Sequence, residues 1–225
     1  MRRERVWVVL PAYNEARSIG RVLEELRRRG WRNLLVVDDG STDGTGEVAL
    51  SHGAEVVRHG GNRGLGAALR TGLKEAARRG AEAAVTFDAD GQHDPDSVER
   101  IVRALEGADF VVGRRRSVGI PLNKRFGNFV LDVVTFLLSG IYTDSQSGNR
   151  GFSRRALEEL EITQDRYAVS SELILLASRR GWRVREVPVR CFYHEYSKAK
   201  GTTILSGLRI FLTLLAQEAR EWSRR

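Results

Sequence analysis

Residues 34–45 have the sequence Leu-Leu-Val-Val-Asp-Asp-Gly-Ser-Thr-Asp-Gly-Thr, in which an apolar run ends in carboxylates, glycines and hydroxyls. This pattern is typical of a buried strand, here Leu34–Val37, that passes through a polar turn into a helix. Other short β-rich runs alternate with segments of helical periodicity, and these runs are Val6–Leu10, Val56–Arg58, Ala84–Phe87 and Phe110–Val112. The alternation predicts an α/β fold with a mostly parallel sheet flanked by helices on both faces.

After Gly113 the pattern changes to longer helices. An apolar helix is predicted from about Pro121 to Ser139 and another from Ser171 to Arg180, followed by the strand Val184–Val189. A terminal amphipathic helix carries Leu205, Leu208, Phe211, Leu212 and Leu215. Since no linker separates these parts, we expect one domain over residues 1–225, with residues 1–113 and 114–225 as its two halves.

The charge and composition of the chain limit the kinds of molecule that it can bind and the compartment in which it works. Thirty-seven Lys and Arg against 29 Asp and Glu give a net charge of +8, so the surface should attract anions. Basic and aromatic residues are not interleaved as in nucleic-acid-binding modules, so we expect no nucleic-acid partner. Cys191 is the only cysteine, which excludes an internal disulfide and favours a reducing compartment. We expect neither a secretory leader nor a spanning helix, which needs about 20 mainly apolar residues.

Polar residues follow three of the predicted strands. Pro11–Glu15 follows the first strand, Asp38–Thr45 the second, and Asp88–His93 the fourth. Ligands of an open parallel sheet bind beyond the carboxyl ends of the strands, so these segments should meet at one edge. Asp88 and Asp90 could turn hard oxygens toward one point, which suits Mg²⁺ or Mn²⁺ completed by phosphate and water. The alternative is a solvated Asp-rich turn that ends the strand.

Two neighbouring segments also have ordinary structural interpretations. Ser41 or Asp43 would cap the next helix, while adjacent Asp38 and Asp39 could in addition bind a base or ribose. Residues 60–66 resemble a phosphate-binding loop only loosely, because no lysine of the Walker type follows them. We interpret the glycines of this segment as turns and close helix packing.

In this order and spacing, Pro11–Glu15, Asp38–Thr45 and Asp88–Gln92 resemble the family-2 glycosyltransferases of the GT-A fold. Within that family the chain is most similar to dolichyl- and polyprenyl-phosphate mannosyl- and glucosyltransferases. The segments that resemble this branch are Asp144–Phe152, Glu186–Pro188 and Ser197-Lys198, so the resemblance covers nearly the whole chain. The departures from the branch are Asn149, where Phe is usual, and 194–196, where an Arg often precedes the Ser-Lys pair.

The resemblance implies a GT-A, Rossmann-like domain in which residues 1–113 bind the nucleotide sugar and residues 114–225, with acceptor-side helices, bind the acceptor. It implies an inverting enzyme that moves a hexose from GDP-mannose, UDP-glucose or UDP-N-acetylglucosamine to dolichyl or polyprenyl phosphate, with Mg²⁺ or Mn²⁺ as cofactor. The implied catalytic residues are Asp88 and Asp90, which with Gln92 also hold the metal. The implied donor-binding residues are Pro11, Ala12, Tyr13, Glu15, Asp39, Ala89 and Lys198, and the acceptor-phosphate residues are Arg115, Lys124, Arg125, Asn128 and Ser147.

The residue at one position bears on the acceptor. Many members of this family with hydroxyl acceptors carry a Glu-Asp pair at the start of the helix before the final strand, with the Asp as general base. The position that matches this Asp is Ser170, and Glu172 lies two residues further on. A hydroxyl needs a base to become a nucleophile and a phosphate oxygen does not, so a phosphate acceptor is favoured. A saccharide or small-molecule hydroxyl acceptor is the alternative, with Glu172 or Asp144 as a substitute base.

Cations and apolar residues adjoin in the second half. Lys124 and Arg125 open the apolar segment Phe126–Leu138, where a headgroup and a lipid tail could bind side by side. The amphipathic pattern of the terminal helix is compatible with an anchor at the membrane interface. It is equally compatible with packing against the sheet or with a dimer interface. We therefore expect a peripheral enzyme on the cytoplasmic face of a membrane.

Overall fold

Seven strands in the described part of the chain pair into one sheet. The structure, a computed structural model, describes residues 1–118 and 122–192, apart from the side chains of 116–118, 122–126 and 128. The strands are β1 (Val6–Ala12), β2 (Asn33–Asp38), β3 (Glu55–Arg58), β4 (Ala83–Thr86), β5 (Phe110–Val118), β6 (Arg150–Ser153) and β7 (Val184–Phe192). Their order across the sheet is β3-β2-β1-β4-β6-β5-β7.

The strand β6 is an addition to the strands expected from the sequence, and it runs against its neighbours. The pairs β1–β2, β1–β4, β2–β3 and β5–β7 are parallel, whereas β6 is antiparallel to both β4 and β5. Its sequence, Arg-Gly-Phe-Ser, is too short and too polar to predict a strand. Because Arg150 opposes Thr86, the last residue of β4, the turn before β6 lies at the carboxyl edge of the sheet.

Helices cover both faces of this sheet. Within the described ranges they are α1 (Ala16–Arg28), α2 (Thr45–Ser51), α3 (Leu65–Arg78), α4 (Asp96–Ala104), α5 (Leu122–Ser139), α6 (Arg154–Glu158) and α7 (Val169–Arg179). Successive side chains of β1 point to opposite faces of the sheet, which produces two apolar layers. Val8 belongs to the layer that includes α1 and α4, and Val9 belongs to the layer that includes α3 and α7. The predicted α/β fold with a mostly parallel sheet is therefore confirmed.

The predicted helices of the second half are also present, with small shifts. The long apolar helix is α5, and the helix expected from Ser171 begins two residues earlier, at Val169. No helix among the described residues is both long and apolar enough to cross a membrane. The terminal amphipathic helix and Lys198 lie outside the described residues.

Helix α3 packs so closely on the sheet that Gly72 has no room for a side chain. A Cβ there would lie 2.3 Å from Val9 Cγ1 and 2.9 Å from Val37 Cγ2, and both valines are buried in the sheet. Gly72→Ala should therefore lower the free energy of unfolding by about 1–3 kcal/mol, the usual cost of overpacking a core. Urea denaturation measures this change.

A matched control is Gly20→Ala, since Gly20 is also buried within a helix. Its new Cβ would meet the His52 imidazole at 2.8 Å, but that side chain is 31% exposed and can turn away. The control should change the free energy of unfolding by less than about 1 kcal/mol. Equal losses in the two variants would contradict the tight packing of α3 on the sheet.

Candidate active site

The carboxyl ends of β1, β2 and β4 lie side by side, as the sequence predicts. In the parallel register Ala12 opposes Asp38, the last residue of β2. The amide of Asp39 donates to the Ala12 carbonyl, and the amide of Phe87, just beyond β4, donates to the Val9 carbonyl. The three polar segments that follow these strands therefore meet at one edge of the sheet.

The segment after β2 braces the loop after β1. Ser41 Oγ accepts from the Asn14 amide (2.9 Å), and Asp43 Oδ2 accepts from the Ala16 amide (3.0 Å). Asn14 has a φ of +56°, a left-handed conformation that asparagine tolerates better than most residues. Neither expected residue is the cap of α2, because the residue that precedes the helix is Gly44, which has no side chain to make a capping bond. Asp43 still accepts from the first amide of α2, that of Thr45 (3.1 Å).

The predicted donor-binding residues of the first loop lie at different depths. Pro11 is half-buried and Ala12 is buried, while Tyr13 is 44% exposed at the rim. Glu15 is buried, and its Oε2 accepts from Ser18 Oγ (2.9 Å). Tyr13 is thus accessible to a ligand, whereas Glu15 is part of the loop framework.

Asp39 is buried and organises the loop after β3. Its Oδ1 accepts from His59 Nδ1 (2.6 Å) and the Arg63 amide (3.0 Å), and its Oδ2 accepts from the Gly64 amide (2.7 Å). A carboxylate can only accept, so His59 Nδ1 carries a proton, and Nε2 lies 3.0 Å from Thr71 Oγ1. Each carboxylate oxygen accepts about two hydrogen bonds, so Oδ2 can still accept from a ligand.

Asp88 and Asp90 follow β4, and Gln92 lies with them. Burial and the nearby charge of Asp88 raise the pKa of Asp90 to about 6. Gln92 donates to Asp90 twice, from its backbone amide to Oδ1 (3.0 Å) and from Nε2 to Oδ2 (2.6 Å). Ala89, between the two carboxylates, is buried. The structure therefore brings the predicted metal-binding residues together.

Two neighbours fix the Asp88 carboxylate, His93 from the same loop and Gly148 from a distant part of the chain. His93 Nε2 lies 2.9 Å from Oδ2, and a Cβ on Gly148 would lie 2.3 Å from Oδ1. Burial pushes the pKa of Asp88 upward, but the His93 hydrogen bond and the charges of Arg150 and Arg115 outweigh it and hold the pKa below its usual value. Asp88 is thus ionised at neutral pH, and its side chain is 34% exposed to solvent.

Two crowded carboxylates of this kind fit a divalent cation. Asp88 is ionised, whereas Asp90, with a pKa of about 6, still carries a proton at lower pH. A bound cation would take the place of that proton. In the described ranges, no three His, Cys, Asp or Glu side chains are grouped to hold a metal by themselves. The chain would supply two carboxylates and an amide, and substrate phosphates and water would complete the shell, as is usual for Mg²⁺.

Arg115 lies on β5 at the same edge, in a bidentate ion pair with Asp144. Arg115 Nε and Nη2 donate to Asp144 Oδ2 (2.8 Å) and Oδ1 (2.7 Å). Burial raises the pKa of Asp144, but the bonds and charge of Arg115 outweigh it and keep that carboxyl ionised. Ser147 is fully buried and accepts from the Asn149 amide (3.4 Å), so its hydroxyl does not lie at the surface of the site. The side chains of Lys124, Arg125 and Asn128 are outside the described part of the chain.

Glu172, a possible base, is buried and bonded to another segment. Its Oε1 accepts from the Thr163 amide (2.9 Å) and hydroxyl, and its Oε2 accepts from the Gln164 amide (3.0 Å). Ser170 occupies the position of the expected base and is also buried. Glu172 therefore holds a neighbouring segment of the chain, and it lacks the exposure that a general base would need to reach a substrate hydroxyl.

Several residues of the site were missed by sequence analysis. His59 directly follows the end of β3, and His93 directly follows the Asp88–Gln92 motif. A histidine at the carboxyl edge of a parallel sheet is a sequence signal that could have identified both residues. Gly148 and Arg150 lie in a segment that resembles the family branch, but their proximity to Asp88 had no local signal, because it arises only from the position of β6. Asn149, a departure from the resembled branch, donates to Ser97 Oγ and is fully buried, so it is a core contact.

Comparisons with known proteins place the chain in a family. The pattern of Glycosyl transferase family 2 matches residues 7–161. A UDP-N-acetylglucosamine–dolichyl-phosphate N-acetylglucosaminyltransferase of Methanococcus voltae is 37% identical over 93% of this chain and 94% of its own. An undecaprenyl-phosphate mannosyltransferase of Micrococcus luteus is 31% identical over 87% of each chain.

Solved structures share the fold. Glucosyl-3-phosphoglycerate synthase of Mycobacterium tuberculosis in complex with Mg²⁺ and UDP has a TM-score of 0.71 and 24% identity, covering 94% of this chain and 78% of its own. Another structure of that synthase holds Mn²⁺ with UDP. Since the family pattern covers more than half of the chain, and both relatives exceed 30% identity over most of it, this protein is a glycosyltransferase that belongs to family 2 and has the GT-A fold.

Proposed function

We propose that this glycosyltransferase moves a hexose from a nucleoside diphosphate sugar to dolichyl or polyprenyl phosphate, with inversion at the anomeric carbon. One observation carries the proposal: a buried arginine and a partly buried one lie near the Asp88 carboxylate, while the carboxylates that could act as a base are already bonded. Arg115 and Arg150 supply the positive charge, and Glu172 and Asp144 are held by protein donors. Such a site suits an acceptor that arrives as an anion and needs no base.

The donor would lie across the carboxyl edge of the sheet. Tyr13, which is exposed at the rim, and Asp39, whose Oδ2 accepts from only one donor among the described residues, support binding of the nucleoside, and Asp88 and Asp90 support binding of the diphosphate. The relatives' names give UDP-N-acetylglucosamine in one case and a mannosyl transfer in the other. We therefore keep GDP-mannose, UDP-glucose and UDP-N-acetylglucosamine as the candidate donors.

The chemistry then depends on positioning. Asp88, Asp90 and Gln92 would hold Mg²⁺ or Mn²⁺, which neutralises charge on a departing nucleoside diphosphate. Arg115 orients the acceptor phosphate, together with Lys124 and Arg125, so that an anionic oxygen attacks opposite the leaving group and inverts the anomeric carbon. No side chain has to take a proton, and catalysis rests on orientation and preorganised charge.

An apolar strip on α5 supports contact with a membrane surface. Phe129 (56%), Val130 (41%), Phe136 (41%) and Leu137 (74%) are exposed along this helix. Apolar side chains beside the basic start of a helix suit an interface of anionic lipid headgroups and acyl chains. We propose a peripheral enzyme on the cytoplasmic face of a membrane, with nucleotide sugar and polyprenyl phosphate as partners and no nucleic acid.

The first functional prediction concerns the metal. Mn²⁺ with UDP or GDP should raise the melting temperature of the wild type, because a ligand of the folded state stabilises it, and EDTA should abolish transfer. Asp90→Asn should lose both the metal-dependent stabilisation and the activity while retaining its fold. Thermal-shift assays and a radiolabelled-sugar transfer assay measure the two effects.

Asp96→Asn is the matched control, since Asp96 is a neighbouring carboxylate paired with Arg29 outside the site. It should leave metal dependence unchanged. In the wild type, protons and the cation compete for Asp90, so Mn²⁺ affinity should fall as pH decreases below the Asp90 pKa of about 6. Full activity of Asp90→Asn, or activity undiminished by EDTA, contradicts the metal assignment.

The second functional prediction concerns the nucleoside. Asp39→Ala should weaken nucleotide binding by about 1–3 kcal/mol, because it removes an acceptor and releases the amides of residues 63–64. Isothermal titration calorimetry with UDP and GDP measures the change. Asp109→Ala is the control: Asp109 is equally buried and accepts from the Arg183 amide (2.9 Å), but it lies at the opposite end of β5. The Asp109→Ala variant should be less stable and should bind nucleotide as the wild type does. An unchanged nucleotide affinity in Asp39→Ala would show that Asp39 has only a structural role.

The third functional prediction concerns the acceptor. Lys124→Glu with Arg125→Glu should raise the KM for polyprenyl phosphate sharply and leave donor affinity nearly constant, because the charges act on the phosphate. Added salt should reproduce part of the loss, since exposed charges are screened over roughly 8 Å at physiological ionic strength. Steady-state kinetics with varied acceptor in vesicles measures both.

The control for net charge is Arg154→Glu with Arg155→Glu, which reverses two adjacent cations on α6 that pair with Glu158 and Glu159. This double variant should keep the acceptor KM of the wild type. Efficient transfer to a free sugar hydroxyl, with no transfer to polyprenyl phosphate, would contradict the proposed acceptor. The acceptor would then be a saccharide or small-molecule hydroxyl.

A further inference from the structure

Glu172 holds a segment of chain that belongs to neither the donor nor the acceptor side. The residue is 3% exposed at the start of α7, and its carboxylate accepts from the amides of Thr163 (2.9 Å) and Gln164 (3.0 Å) and from the Thr163 hydroxyl. Hydrogen bonds to a buried charged group are among the stronger ones in proteins. The carboxylate therefore fixes the course of residues 163–164.

That segment in turn lies against the start of α3. A Cβ on Gly66 would lie 1.9 Å from the Gln164 carbonyl oxygen, and a Cβ on Gly64 would lie 2.5 Å from the Asp165 carbonyl oxygen, so the backbones touch. Arg70 adds two bonds, from Nη1 to the Ile162 carbonyl (3.1 Å) and from Nη2 to Asp165 Oδ1 (2.6 Å). Two backbones in such close contact cannot move independently.

The start of α3 carries the amides that hold Asp39. The amides of Arg63 and Gly64 donate to its two carboxylate oxygens at 3.0 and 2.7 Å. Continuous contacts thus run from Glu172 through residues 163–165 and Gly64 to Asp39. Each link is a hydrogen bond or a close backbone contact, and the chain of contacts begins and ends at a buried carboxylate, Glu172 at one end and Asp39 at the other.

We propose that Glu172 is a positioning residue for the nucleoside end of the donor site, acting through residues 163–165 and the loop that binds Asp39. The inference rests on the proposed function, since it concerns how the donor's nucleotide is held. Glu172 occupies the region where a base would serve a hydroxyl acceptor, but its effect falls on donor affinity and not on the transfer step.

The test is Glu172→Gln, which keeps the shape but sets an NH₂ group against one of the amides that the carboxylate accepts from. The Kd for UDP or GDP with Mn²⁺, and the donor KM, should rise about tenfold, the effect of losing one strong hydrogen bond. The kcat and the acceptor KM should stay within about twofold of the wild type. Hydrogen exchange of the amides of residues 60–66 should become faster without any nucleotide present.

Two further variants keep the test decisive. Thr163→Val removes only the hydroxyl bond to Glu172 and should shift the same quantities in the same direction by about two- to threefold, even if Glu172→Gln folds poorly. Glu161→Gln is the matched control, because Glu161 lies beside this segment but is 72% exposed and paired with Arg180. It should leave nucleotide affinity and exchange unchanged.

Unchanged nucleotide affinity in folded Glu172→Gln and Thr163→Val would overturn the inference. A collapse of kcat with intact nucleotide affinity would overturn it too, and would make Glu172 the base for a hydroxyl acceptor. If the wild type binds neither UDP nor GDP with Mn²⁺, the proposed function fails instead. In that case the exchange rates of residues 60–66 still decide whether Glu172 holds the loop.

Discussion

The polar edge of this enzyme depends on one buried cation, Arg150. Its guanidinium is 1% exposed and donates to the Ser145 carbonyl (2.8 Å), and burial lowers its pKa to about 10. Removing such a charge from water is costly unless ionised partners surround it. The charges of Asp88 and Asp144 raise the Arg150 pKa and so favour its charged form. In the proposed reaction Asp88 binds on the donor side, and Arg115, which pairs with Asp144, orients the acceptor. The buried Arg150 would then stabilise carboxylates on both sides of that reaction.

Much of the polarity at this edge serves the protein itself. Asp39, Ser41, Asp43 and Glu172 are acceptors for backbone amides of neighbouring loops. Each bond removes freedom from a loop before a ligand arrives, so less entropy is lost when the ligand binds. The loops after β1, β2 and β3 are thereby set by side chains from one another, and the site has its shape in advance.

The sequence predicted the features that arise from local patterns. Apolar runs ending in carboxylates located the strands and the edge, and the spacing of Asp88 and Asp90 located the crowded carboxylates. The family followed from motifs in order along the chain, and the comparisons confirm it. Contacts between distant segments could not be predicted: nothing near Asp39 indicates His59, and nothing near Asp88 indicates Gly148 or Arg150. The strand β6 was missed for the same reason, since its polar sequence becomes a strand only through pairing with β4 and β5 on both sides.

The position of β6 also has a consequence for the order in which the chain can assemble as it is synthesised. Strands β1 to β4 pair among themselves, so they can form a sheet as soon as they leave the ribosome. By contrast, both neighbours of β5, β6 and β7, are translated only after α5. Until Arg150–Ser153 emerges, β4 and β5 each present an unpaired edge, the state in which nascent sheets are most exposed to aggregation. These four residues cover the open edge of β4 and one edge of β5, and the second edge of β5 stays unpaired until β7 is synthesised.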